Sequence, residues 1–255
     1  MYDSDMVRHK SLGLDVGALL LVHDEVDEAV RCFNSFRQFY DENKITVLCN
    51  IKENKEWLRV KTGKHIGDWP DYVTKLISLD GGPREQQVEL RMEFYREYLT
   101  SIYDAYRKID ANYVLFLHPD HMIIRPFKSV EVRAEIEYTP VNLYGEVTDE
   151  ALRKVLGFKR TISGYGLPSY YRKTSLIHAL EFMLEDSSKT LRDLVGVDYK
   201  FNYGDYAIPL IFNYLGFTSN DKNLLRELSR RRKLVHYFKK PVLLHKVPKI
   251  LIGAV

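Results

Sequence analysis

Residues 16–25 read Val16-Gly17-Ala18-Leu19-Leu20-Leu21-Val22-His23-Asp24-Glu25. An unbroken apolar run of this length has the pattern of a strand buried on both faces, because neither face offers water a polar position. The polar and acidic residues that follow mark its end. Beyond them Val26, Ala29, Val30, Phe33, Phe36 and Phe39 recur at helical spacing, which predicts a helix over 26–39 directly after the turn. The same alternation continues outward. A second strand is expected at Ile45–Cys49 and a third at 73–79, closed by Asp80-Gly81-Gly82-Pro83. Residues 84–109 hold neither Gly nor Pro, and Val88, Leu90, Met92, Tyr95, Leu99, Ile102 and Tyr106 repeat periodically, so a long helix is expected there. Tyr113-Val114-Leu115-Phe116-Leu117 is again a wholly apolar strand. Strands alternating with helices predict an α/β chain with a mostly parallel sheet flanked by helices.

The second half is less regular. A strand is expected within 130–138, helices over 173–184, 205–215 and 221–233, and a late strand over 241–245. No internal repeat and no Pro/Gly/Ser linker divides the 255 residues, so one domain is expected, with a first half at about 16–125 and a second at about 126–246. Composition is that of a globular protein, with 45% hydrophobic and 29% charged residues, and it excludes collagen-like and low-complexity classes. The apolar run at 16–22 is far short of the roughly 20 residues a membrane-spanning helix needs. No basic-then-apolar leader opens the chain, and Cys32 and Cys49 are its only cysteines, so a soluble cytoplasmic protein is expected, without a disulfide framework. The net charge of +3 conceals an asymmetry. Residues 226–249 hold nine Lys and Arg against the single acid Glu227, which leaves the rest of the chain at −5. Such a segment is either a solvated face or a surface for an anionic partner.

In an open α/β sheet, ligands sit beyond the carboxyl ends of the strands. The residues there are His23, Asn50, Asp80 and the run Leu117-His118-Pro119-Asp120-His121. That run can hold a divalent cation, Asp giving a hard oxygen and His a borderline nitrogen, or it can be a turn in which Asp120 caps backbone groups.

The order of these features resembles that of GT-A fold glycosyltransferases, the family-two-like group in particular. The apolar first strand, the His23-Asp24-Glu25 turn and the helix match the opening of that fold. His118-Pro119-Asp120 falls where the family carries its DxD motif, with His in place of the first Asp, so the motif is degenerate. The resemblance makes Asp120 a metal ligand, for manganese or magnesium. It makes His118 a second ligand or a ribose or sugar contact. Ile162-Ser163-Gly164-Tyr165-Gly166 and Tyr170-Tyr171-Arg172 resemble the segment shaping the donor-sugar and acceptor pocket, through Gly164, Tyr165, Gly166 and Tyr170. Asn202-Tyr203-Gly204-Asp205 resembles the element whose acid is the general base of inverting members, which implies that role for Asp205. The late His245 would return to the metal, with His236 its rival, and Lys246 would lie beside a diphosphate. His23, Asp24, Glu25, Asn50 and Asp80 would lie near the nucleotide. The implied activity is metal-assisted, inverting transfer of a hexose from a nucleotide-sugar donor, a UDP-sugar in preference, to an acceptor hydroxyl on a glycan or another molecule.

Other chemistries lack their marks. There is no GxxxxGK[ST] phosphate loop, no GxGxxG after the first strand and no GxSxG elbow. A metal-dependent hydrolase using His118, Asp120 and His121 stays open. So does a nucleic-acid-binding module built on residues 226–249 with Tyr237 and Phe238 interleaved. The nucleic-acid-binding segment and the glycosyltransferase resemblance combine in a transferase acting on hydroxymethylated bases in DNA.

Overall fold

The run at 16–22 is the centre of the sheet. In the structure, a computed structural model describing residues 14–70, 83–127, 136–138, 169–185, 215–217, 219–220, 225–227 and 243–245, it forms β1 (Val16–Val22), buried along its whole length. β1 pairs in parallel with β2 (Ile45–Cys49) on one side and with β4 (Tyr113–Leu117) on the other. A short β3 (Ile66–Gly67) extends the sheet beyond β2, again in parallel. Beyond β4 the direction reverses. β7 (Ser169–Arg172) is antiparallel to β4, β6 (Ile136–Tyr138) is antiparallel to β7, and β8 (Ser219–Asn220) is parallel to β6, giving the order β3-β2-β1-β4-β7-β6-β8. A separate three-stranded sheet joins β5 (Met122–Ile123), β10 (Leu243–His245) and β9 (Leu225–Glu227) in the order β5-β10-β9.

Alternation along β1 explains the layering. Val16, Ala18, Leu20 and Val22 face one core with Ala29, Cys32, Phe33 and Phe36 of α1 (Val26–Arg37) and Leu58 of α2 (Lys52–Thr62). Leu19 and Leu21 face the other, with Tyr95, Leu99, Ile102 and Tyr106 of α3 (Arg84–Lys108) and Leu176, Ala179 and Leu180 of α4 (Lys173–Glu185). A period of two on the strand thus meets periods of three and four on the helices. The chain ends are tied as well. Asp15 accepts from the Asn112 backbone N–H at 3.0 Å and pairs with Lys44, fixing the starts of all three central strands relative to one another. Lys173 reaches back to the carbonyls of Arg107 and Ile109 at the end of α3, where a cation is favoured by the helix dipole.

Helix α1 ends at Arg37, two residues earlier than expected, because the backbone N–H groups of Phe39 and Tyr40 both close onto the Phe36 carbonyl. Helix α2 has no counterpart in the periodicity. Only Leu58 and Thr62 of its residues are buried, and it is stopped by Gly63 in the left-handed region at φ 67°. Two expectations are corrected. Residues 225–227, within the helix expected over 221–233, are a strand, since pairing with β10 overrides the helical preference of Leu, Arg and Glu. Leu90, counted on the buried face of α3, is 41% exposed. The strand expected at 130–138 appears as Ile136–Tyr138 in its last part. The strand expected at 73–79 lies outside the described residues, as does the helix expected at 205–215 apart from Leu215, which is in a turn with Gly216 at φ 76°. Among the described residues, no helix is long and apolar enough to cross a membrane.

Gly17 is where the packing of β1 admits no side chain. A Cβ there would strike Ile109 Cγ2 and lie 2.9 Å from the Lys44 carbonyl oxygen, one of them a β-branched side chain and the other backbone. Gly17→Ala is expected to lower stability by about 1–3 kcal/mol, the usual cost of overpacking a filled core. Urea denaturation of the two proteins checks it, and an unchanged midpoint would contradict the packing described.

Candidate active-site crevice

Strand order places the site. From β1 the sheet grows through β2 to β3 on one side, and the chain then crosses to add β4 on the other. The carboxyl ends of β1 and β4 therefore flank the point where the order reverses, the position at which open α/β sheets leave a crevice for ligands. The turn at 23–25 follows β1, Asn50 follows β2, and the turn at 118–121 follows β4.

On the β1–β2 side the groups are tied together. Val22 pairs with Cys49, so His23 and Asn50 emerge side by side, and His23 Nδ1 lies 2.9 Å from Asn50 Oδ1. The imidazole N–H donates and the amide oxygen accepts. Asn54 Nδ2 donates to the His23 carbonyl at 2.9 Å, and the Trp69 indole N–H donates to the Val22 carbonyl at 3.0 Å. Side chains from α2 and from the residues after β3 thus hold the end of β1 in place. No sequence motif marked Asn54 or Trp69 for this work; their roles depend on partners 31 and 47 residues away. Asn50 Nδ2 is buried and has no hydrogen-bond partner. A buried N–H left in that condition costs free energy until something supplies an acceptor.

On the β4 side the turn is self-braced. The His121 backbone N–H donates to the His118 carbonyl at 3.0 Å, and the His118 backbone N–H donates to His121 Nδ1 at 3.1 Å. The His121 side chain is fully buried, with Nδ1 engaged as an acceptor and Nε2 3.9 Å from Asp120 Oδ1. Its work is to shape the turn, which leaves Asp120, 41% exposed at its side chain, as the residue presented outward. Asp120 also acts across the crevice. It raises the pKa of Glu25 and that of the Cys32 thiol on α1. For Glu25 the causes are partial burial first, then its hydrogen bond and charge interaction with Asp24, then Asp120. For Cys32 burial dominates, and burial also pushes up the Cys49 thiol, so neither cysteine is an activated nucleophile. Three carboxyl groups therefore converge from the two turns.

The small sheet adds the third side. Leu243 pairs with Ile123 and Leu244 with Met122 in antiparallel register, so the next position, His245, comes opposite His121. Its backbone is thereby returned to the 118–121 turn. Tyr170, expected against a sugar, is instead a core residue. It pairs with Leu115 inside the sheet, is 1% exposed, and packs edge-on against Tyr113 and Phe127 with ring centroids 6.0 and 5.7 Å away. Asp80, Gly164, Tyr165, Gly166, Asp205, His236 and Lys246 lie outside the described residues, as does the side chain of His245. An open groove of about 560 Å³ runs from Trp69 along α3, lined also by Asp68, Glu93, Arg96 and Glu97, and none of the expected site residues lines it.

The donor set for a metal is lean. Among the described residues, no group of three or more His, Cys, Asp or Glu side chains is placed to hold an ion. Asp120 is the one carboxylate of the 118–121 turn, and it is presented outward.

No protein-family model matches the chain, and no curated protein sequence matches it. Solved structures similar to it include the galactosyltransferase LgtC in complex with donor and acceptor sugar analogues (TM-score 0.46, 10% identity, 91% of this chain and 87% of that one). A second is the bifunctional glycosyltransferase WbbM (TM-score 0.47, 13% identity, 92% of this chain and 46% of that one). A third is core-mannan synthase A from Aspergillus fumigatus in its Mn/GDP form (TM-score 0.46, 9% identity, 82% and 71%). Likeness at this level assigns no residue and no substrate.

Glu25 gives a pH-dependent consequence. Its raised pKa means that the folded protein holds the proton more tightly than the unfolded chain, so ionisation counts against folding. The penalty is absent below the unfolded value near 4.5, grows as pH rises through the window between the two values, and is complete above the folded one. Glu25→Gln is expected to raise the melting temperature at pH 7 and to lose that gain as pH falls towards 4. A gain that persists at pH 4 would locate its origin elsewhere.

Proposed function

We propose that the chain is a glycosyltransferase of GT-A type that moves a hexose from a nucleotide-sugar donor to an acceptor hydroxyl. The observation that carries the reading is the convergence of the 23–25 turn, Asn50 and the 118–121 turn at the reversal between β1 and β4, with β10 bringing His245 back to the same turn. The motif order in the sequence supports it, and so does the register of β7 on β4. Ser169, three residues after Gly166 in the sequence, pairs with Phe116, two residues before His118.

On this reading one domain carries both substrates. His23, Asp24, Glu25, Asn50 and Asp80 border the nucleotide, a uridine nucleotide in the first instance, and the buried Asn50 amide N–H meets an acceptor atom of the base or ribose. His118 contacts the ribose or sugar, Gly164, Tyr165 and Gly166 shape the sugar and acceptor pocket, and Lys246 offsets diphosphate charge. Asp120 and His245 would hold a manganese or magnesium ion, which when bound neutralises charge on the departing diphosphate. Asp205 takes the proton from the acceptor hydroxyl as its oxygen bonds to the anomeric carbon and the bond from that carbon to the diphosphate oxygen breaks. Attack opposite the leaving group inverts the anomeric centre.

The test begins with thermal shift of the protein against UDP, GDP, CMP and their sugar conjugates, with and without manganese. A ligand that binds only the folded state raises the melting temperature by mass action. A shift is expected with a uridine nucleotide, larger with manganese, and weakened about tenfold in affinity by Asn50→Ala. No shift with any nucleotide would overturn the reading. Transfer to a glycan acceptor is then expected to fall about a hundredfold or more in both Asp120→Ala and Asp205→Asn with folding intact. Full activity in either variant removes that residue from the mechanism.

A further inference from the structure

One cation on the flank of the crevice has given up water without gaining a partner. Arg31 is half-buried in the middle of α1, and its Nε and Nη2 are buried with no hydrogen-bond partner. No carboxylate among the described residues is paired with it. A guanidinium keeps its charge at every working pH, so it cannot escape by releasing a proton. Burying such a charge without a counter-charge is costly, and an anion that reaches it offsets that cost. The two unfilled atoms also belong together. Nε–H and one Nη2–H point the same way from one edge of the planar group, the edge that meets two oxygens of a single anion.

The helix fixes where that edge starts. Arg31 is one turn before Ser35, and residues four apart share a face of a helix. Ser35 Oγ donates to the Cys32 carbonyl at 2.7 Å and accepts from the Ile123 backbone N–H at 3.0 Å, so this flank of α1 looks onto β5. β5 directly follows the 118–121 turn, and α1 directly follows the 23–25 turn. The step from Ser35 back to Arg31 is therefore a step towards the crevice, and Arg31 stands about 9 Å along the helix from Glu25. The Cys32 thiol registers the same placement. Burial raises its pKa most, the charge of Asp120 adds to that, and the charge of Arg31 opposes it. Arg31 and the outward Asp120 are thus within electrostatic reach of one sulfur. We propose that the Nε–Nη2 edge of Arg31 is a phosphate subsite of the crevice, taking two oxygens of one phosphate group of a ligand. The choice of phosphate over carboxylate rests on the glycosyltransferase reading, whose donor carries a diphosphate, while the need for an anion rests on Arg31 alone.

Inorganic phosphate and pyrophosphate probe the edge without a nucleoside, and EDTA keeps metal ions out. Melting temperatures of the full-length protein are measured at pH 7 against sodium chloride of equal ionic strength, with sodium acetate as the carboxylate control. Both phosphate probes are expected to raise the melting temperature, and acetate is not. Arg31→Met is expected to be at least as stable as the wild type in chloride, because the unpaired charge is gone, and to lose the phosphate-dependent rise. Arg31→Lys keeps the charge without the two-donor edge and is expected to weaken pyrophosphate binding about tenfold. No rise in the wild type overturns the proposal, as does a rise undiminished in Arg31→Met or an equal rise with acetate. Should Arg31→Met not fold, undiminished pyrophosphate affinity in Arg31→Lys overturns it as well. UDP separates this subsite from the donor reading. A UDP shift equal in the wild type and Arg31→Met overturns the subsite and leaves the donor reading in place. A pyrophosphate shift lost in Arg31→Met, with no shift from any nucleotide, upholds the subsite and removes the donor reading.

Discussion

Burial of β1 on both faces is the constraint from which the rest follows. A seven-residue strand with no polar position must be covered twice, and its two alternating rows select different partners: α1 and α2 for Val16, Ala18, Leu20 and Val22, α3 and α4 for Leu19 and Leu21. Gly17 is the exception that permits closeness, because Ile109 and Ala111 and the Lys44 carbonyl occupy the space where its side chain would stand. The strands on either side start in register because Asp15 binds both neighbours at once, the backbone before β4 and the lysine before β2.

The crevice is a by-product of the same covering. Helices on both faces require crossovers in both directions, and where the direction changes no loop covers the strand ends. What the chain places there is polar and held by distant residues. The Val22 and His23 carbonyls, which a continued strand would have satisfied, accept from Trp69 and Asn54. The 118–121 turn braces itself through His121 and leaves Asp120 facing outward. Rigidity on both sides comes before any ligand, and the unfilled donor of Asn50 lies on the β1–β2 side.

How much of this the sequence disclosed depends on whether information was local. β1, β2, β4 and α3 were legible because each is long or almost wholly apolar, although the pattern put Leu90 of α3 on the wrong face. The turns at 23–25 and 118–121 followed from them, since a strand end is where a loop must begin. α2 was hidden because only Leu58 and Thr62 turn inward, too few for a period to show. β9 was misread because Leu-Arg-Glu favours a helix locally and only its partner β10, near residue 244, makes it a strand. Tyr170 failed for a related reason. An aromatic beside Gly-rich sequence suggests a sugar platform, yet antiparallel pairing with Leu115 turns it into the core. His121 looked like a ligand by proximity to Asp120, and only the hydrogen bond to its Nδ1 shows it to be a brace.

Charge gives the last step. Asp24, Glu25 and Asp120 belong to the two turns that flank the crevice. The pKa of Glu25 is raised first by partial burial, then by its hydrogen bond and charge interaction with Asp24, and last by the charge of Asp120. A diphosphate brought against three carboxyl groups would be repelled unless positive charge came with it. The described residues of the two turns offer no lysine or arginine. The surplus of the chain lies in residues 226–249, and the register of β10 on β5 and of β9 on β10 brings the strands of that segment to the turn bearing Asp120.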